Sequence, residues 1–193
     1  MQRVAVFCGS KAGVDPRYRE SAVALGRLLV QRQCGLVYGG GSVGLMGVVS
    51  DAVLEAGGDV IGVIPQSLAT KELLHTGVSD MRVVASMHDR KALMAELSDA
   101  FIAMPGGFGT FEELFEVITW AQLGIHTKSV GLLNVGGFFD PLLRLIDHAI
   151  QERFIQSSHR ELFVVEERPD VLLEQLDRHR PPKVRKWLGP DEG

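Results

Sequence analysis

Two kinds of segment alternate along this chain. Short, mainly apolar runs occupy residues 4–8, 35–38, 59–64, 81–85, 99–104, 129–134 and 162–165. Runs of that length, closed by glycine, proline or asparagine, predict buried strands. Between them lie longer stretches with apolar positions at helical spacing. The first is opened by Asp15-Pro16 and runs to about Gln33. The second follows a glycine cluster and ends at Ala56, where Gly57-Gly58 is the stop signal. Further helices are predicted over 87–97, 114–123, 141–153 and 169–178. Residues 66–80 are less regular and read as a loop with a short helix, and the polar residues 181–193 read as a tail that frays. Strands with no polar face, alternating with helices, predict an α/β fold. Its expected form is a doubly wound parallel sheet of about seven strands with helices on both faces. Residues 1–180 read as one domain, without repeat, low-complexity segment or linker.

In such sheets a ligand sits beyond the carboxyl ends of the strands. One stretch placed there carries the most chemistry: Pro105-Gly106-Gly107-Phe108-Gly109-Thr110-Phe111-Glu112-Glu113. It reads as strand, glycine loop, helix start. Glycines let the backbone approach a ligand closely. The first helical turn offers unpaired N–H groups and the positive end of the dipole, a seat for phosphate. Thr110 adds a hydroxyl and Glu113 a carboxylate. The same residues have a purely structural reading, because Thr110-x-x-Glu113 is also a capping box and Pro-Gly-Gly is ordinary turn chemistry. Phe108 and Phe111 read as core residues that could also shield the site or stack on a base. Gly9-Ser10, the cluster Gly39-Gly40-Gly41-Ser42-Val43-Gly44 and the start of the 87–97 helix converge on the same edge of the sheet, which favours the phosphate reading.

The cluster matches a dinucleotide fingerprint, but the following strand ends Val63-Ile64-Pro65 with no acid for the ribose. Its glycines are expected to admit a mononucleotide or to let helix pack on sheet. Met87-His88-Asp89-Arg90-Lys91 places two cations at a helix start, against the dipole preference. That suits a local anion; the structural alternative is a solvated charged face with Asp89 as partner. His75, His88 and His126 receive no role.

Composition narrows the classes. The chain has 193 residues, 46% hydrophobic and 23% charged, and a net charge of −4 with no long basic run, which argues against nucleic acid as partner. Cys8 and Cys34 form no metal spacing and no disulfide framework, and read as core residues in a reducing compartment. No signal peptide opens the chain and no run approaches the ~20 apolar residues of a membrane span. The expectation is a cytoplasmic protein.

Four motifs together resemble one family. Pro105 to Glu113 resembles the PGGxGTxxE signature of the Lonely Guy proteins, cytokinin riboside 5′-monophosphate phosphoribohydrolases long labelled lysine decarboxylase-like. Met87 to Lys91 resembles their MHxRK segment. Tyr38 to Gly47 and Ile118 to Gly124 resemble further hallmarks, in the right order. The resemblance covers residues 4 to about 165, with no departure at a signature position. It implies a Rossmann-like fold, often homodimeric. It also implies hydrolysis of the N-glycosidic bond of N6-prenylated or plain adenosine 5′-monophosphates to free base and ribose 5-phosphate. Arg90 and Glu113 match the catalytic pair. Lys91, residues 107–113, Thr119 and, in the irregular segment, Glu72 match substrate-binding positions, to which the phosphate reading adds Gly106. No metal or cofactor is expected, since a decarboxylase would need pyridoxal phosphate and a Schiff-base lysine that nothing marks. The alternative is a non-catalytic nucleotide or cofactor carrier on the same fold.

Overall fold

The computed structural model describes residues 1–69 and 74–182; Glu72 and the predicted tail from 183 onward lie outside the described residues. Seven strands form one sheet: β1 (Arg3–Phe7), β2 (Gly35–Tyr38), β3 (Val60–Pro65), β4 (Asp80–Val84), β5 (Ala100–Ala103), β6 (Ser129–Leu133) and β7 (Phe163–Glu166). Their order is β4-β3-β2-β1-β5-β6-β7 and every pairing is parallel. Each lies within one or two residues of its predicted run. The helices are α1 (Pro16–Gln31), α2 (Gly44–Glu55), α3 (Met87–Leu97), α4 (Phe108–Gln122), α5 (Asp140–Gln151) and α6 (Pro169–Arg178).

Side chains of a strand alternate between faces. Val4 and Val6 of β1 join Leu36 and Tyr38 in the core beneath α1, α2 and α6. Ala5 and Phe7 join Val37, Ile61 and Val63 beneath α3, α4 and α5. Both layers are apolar, so both faces must be covered, and the right-handedness of parallel crossovers assigns helices to faces. The chain steps outward from β1 to β4, then returns to pair β5 against the other side of β1. The connections after β1 and β5 therefore leave in opposite directions. That divergence opens a crevice at the carboxyl edge, the place where such sheets bind ligands.

Helix starts are where local sequence speaks most clearly. Asp15 caps α1 by accepting from the Arg17 N–H at 2.9 Å, with Pro16 at the first helical position. Ser86 caps α3 by accepting from the Asp89 N–H at 3.1 Å, and donates its hydroxyl to Asp89 Oδ2 at 2.7 Å. Asp89 is therefore a capping residue and not the partner of Arg90 and Lys91 that the charged-face reading expects. Among the described residues no helix is long and apolar enough to cross a membrane.

Candidate active site

Helix α4 begins at Phe108, with Gly107 as its N-cap and no side-chain cap bond. The Phe111 N–H donates to Gly107 O at 3.0 Å, closing the first turn. Thr110 is therefore the third helical residue and Glu113 the sixth. The capping-box alternative is overturned, because the box needs Thr110 at the cap itself. Thr110 instead packs under the loop: a Cβ on Gly106 would stand 2.1 Å from Thr110 Oγ1. Only glycine lets the loop lie so close to the helix. The N–H groups of Phe108, Gly109 and Thr110 precede the first intrahelical bond and face outward from the helix end.

Glu113 points from the second turn of α4 to Arg90 of α3. Arg90 Nη2 lies 3.4 Å from Glu113 Oε1, and their side chains are only 12% and 9% exposed. Arg90 Nε donates to Val63 O of β3 at 3.1 Å. Its guanidinium fills the space above Gly39, where a Cβ would sit 2.0 Å from Nη2. Burial pushes the Glu113 carboxyl up to about 7. Arg90 pulls it the other way, and Glu112 adds to the rise. Burial and the charge of Glu113 together push the neighbouring Cys8 thiol far above its usual range, so that it stays protonated. Cys8 and Cys34 are both buried and unpaired, as expected. A nearly dry carboxylate poised near neutrality, with one guanidinium beside it, is suited to proton transfer or to facing a developing cation.

The remaining predicted residues divide. Lys91 Nζ bonds Glu112 and, at 2.9 Å, Glu116, tying α3 to α4. Burial lowers its pKa, but the bonds to Glu112 and Glu116 outweigh this and leave the ammonium above its usual value. Neither Arg90 nor Lys91 belongs to a solvated face. Phe108 is 93% exposed at the helix tip, so its core reading fails, while Phe111 is half-buried and stacks on Phe138 with centroids 6.3 Å apart. Thr119 is exposed and donates to Phe115 O at 2.6 Å. Six helical residues beyond Glu113 is roughly 9 Å along the axis, so Thr119 is not brought to the Arg90–Glu113 pair within one chain.

The glycine cluster after β2 has definite work. Gly39 admits the Arg90 guanidinium. Gly44, at φ +63°, lies against the backbone of Ser10 and Lys11, where a Cβ would meet Ser10 C at 2.3 Å. Two hydrogen bonds join the same loops, from Gly9 N–H to Pro105 O at 3.0 Å and from Leu45 N–H to Gly9 O at 2.9 Å. Together they frame a cleft of about 270 Å³ at the β1/β5 crevice, lined by residues 9–13, Tyr18, Leu45, Pro105, Gly106, Gly107 and Phe138.

A family model described as "Possible lysine decarboxylase" matches residues 46–176. The cytokinin riboside 5′-monophosphate phosphoribohydrolase LOG3 of Arabidopsis thaliana is 54% identical over 180 residues, 93% of this chain and 84% of that one. LOG7 of the same plant is 53% identical over 180 residues, 93% of this chain and 83% of that one. The chain belongs to the Lonely Guy family.

The fold extends further than the family. A molybdenum cofactor carrier protein from Chlamydomonas reinhardtii superposes with a TM-score of 0.67 at 22% identity, over 92% of this chain and 98% of that one. Similarity at that level carries the Rossmann-like architecture alone. Within this Lonely Guy protein, reading the sequence missed Glu116 as a partner of Lys91, although its position one turn after Glu112 was a usable signal. It also missed Gly39 as the seat of Arg90. No local pattern marks that role, because the two residues meet only through the packing of α3 on the sheet.

Proposed function

We propose that this protein hydrolyses the N-glycosidic bond of N6-prenylated or plain adenosine 5′-monophosphates. Water adds to ribose C1′, the bond to the base nitrogen breaks, and the base leaves with the proton. The products are free base and ribose 5-phosphate. The observation that carries the reading is the buried Arg90–Glu113 pair beside the N-terminus of α4, in a chain more than half identical to phosphoribohydrolases.

Each residue then has a task that follows from charge. Breaking the bond builds positive charge on the ribose, and the Glu113 carboxylate faces it, as carboxylates do in glycoside hydrolysis. Glu113 also accepts the proton of the attacking water. Arg90 keeps Glu113 partly ionised despite its burial and meets negative charge on the departing base. The glycine loop and Thr110 hold the phosphate, whose binding energy orients the ribose. Lys91 fixes α3 to α4 and so fixes Arg90 relative to Glu113. A Schiff base needs a neutral amine, and Lys91, held charged by Glu112 and Glu116, is unsuited to one; the decarboxylase description gains no support there. A carrier on this fold would have no use for a carboxylate held near neutrality.

Chromatography of free base after incubation with AMP and with isopentenyladenosine 5′-monophosphate tests the proposal. Base release is expected from both, and far less from the corresponding nucleosides. Tight nucleotide binding without release would return the protein to the carrier class. Equal turnover of nucleoside and nucleotide would remove the phosphate seat.

The pH dependence follows from Glu113. The active form is the carboxylate, so kcat/KM should fall as pH is lowered through about 7. A flat profile between pH 6 and 8, about one unit either side of that value, would count against Glu113 as base.

We also read residues 1–180 as one unit and the protein as a cytoplasmic homodimer. Phe115 on α4, Leu123 and Ile125 just beyond it, and Met87 of α3 are exposed apolar side chains. Such patches mark protein contacts, and a second copy would cover them. Sedimentation showing only monomer would remove this part.

A further inference from the structure

The cations that the sequence nominates for substrate are already committed. Arg90 faces Glu113, and Lys91 is held by Glu112 and Glu116. With Glu113 ionised, these groups are three carboxylates against two cations, a net −1. A phosphate monoester brings about −1.5 to −2 at neutral pH. The dipole of α4 offers only about +0.5. Countercharge for the phosphate must come from elsewhere.

The cleft at the β1/β5 crevice holds one candidate. Among the residues lining it, Lys11 is the single charged residue, and no Asp or Glu lines it. Lys11 makes no hydrogen bond or ion pair with any described residue. Its backbone is not loose: the loop is tied through Gly9 to Pro105 and Leu45, and Gly44 packs against Ser10 and Lys11. Gly106 and Gly107, immediately before α4, line the same cleft, together with the largely apolar Tyr18, Leu45 and Phe138.

We propose that Lys11 is a substrate-binding residue, the countercharge that completes the 5′-phosphate seat from the β1–α1 loop opposite the N-terminus of α4. This rests on the phosphoribohydrolase reading and adds to it where the phosphate lies. The class recognised is a sugar phosphate monoester.

Binding of ribose 5-phosphate by calorimetry, with AMP kinetics alongside, tests it in the wild type, Lys11→Met and Lys11→Arg. Lys11 is exposed, so neither change threatens the fold. Lys11→Met should raise the Kd for ribose 5-phosphate and the KM for AMP together by about tenfold or more, the worth of one charge-assisted hydrogen bond. kcat should change much less, because the interaction is made equally in ground and transition states. Lys11→Arg should stay near wild type. An unchanged Kd in Lys11→Met overturns the proposal. The two readings fail separately: wild-type protein that releases no base refutes the activity, whereas the calorimetry still judges Lys11.

Discussion

Glu113→Gln should lower the rate of base release by about 10² or more and leave the fold intact. The amide keeps the shape and one oxygen toward Arg90, but it neither takes a proton nor carries charge to face the ribose. Stability gives the control. The Glu113 carboxyl titrates at about 7 in the folded chain against an ordinary 4.5. Between those values the unfolded chain has released its proton and the native one has not. Native stability therefore falls as pH rises through that window. Glutamine has no charge to desolvate, so the variant should unfold at the same or a higher temperature than wild type at pH 8. Its activity should be lost at every pH. A variant that keeps most of its activity would remove Glu113 from the chemistry, and one that loses activity only by unfolding would make its role structural.

Gly39→Ala should cost about as much, on the order of 10², with Arg90 and Glu113 both left in the sequence. The new methyl would stand 2.0 Å from Arg90 Nη2 and 3.2 Å from Cζ. Arg90 Nε is held by Val63 O, and Met46 Sδ lies on the same side of Gly39. The guanidinium then has to leave Glu113. Gly39 is not in the left-handed region, so the substitution strains space and not backbone. Arg90 lowers the Glu113 pKa, so displacing it should move the acid limb of kcat/KM to higher pH. A loss of activity through general damage would not move that limb. An unshifted limb in a folded Gly39→Ala protein would show that Arg90 does not set the charge of Glu113.

Much of the architecture was legible without coordinates. The seven strands could be read because each is a short, mainly apolar run, and most are closed by glycine, proline or asparagine; both signals are local. Their burial on both faces gave the parallel sheet, and the parallel sheet placed the glycine stretches at its carboxyl edge. The start of α3 at Met87 was legible too.

Candidates for the site could be nominated from the sequence, but their wiring could not. Pro105 to Glu113 could be nominated from glycine spacing, but not where α4 begins. Gly107 is the cap, and Gly106 lies close against Thr110 of the first turn. Asp89 was the nearest acid to Arg90 in sequence, yet the hydrogen bond with Ser86 claims it. Phe108 was expected inside and stands in solvent, at the first residue of α4.

By itself, then, the sequence determined the strands, the helices and the parallel doubly wound sheet, because these follow from interactions between neighbours in the chain. It also nominated candidate residues for the chemistry. Only the tertiary structure decided that Arg90 meets Glu113 above Gly39, that Lys91 is held by two glutamates, and that Lys11 at the crevice has no partner among the described residues. The physical reason is that a charge finds its partner by the approach of elements remote in sequence. That approach is set by the packing of α3 and α4 on one sheet face and by the crossing of loops at its edge.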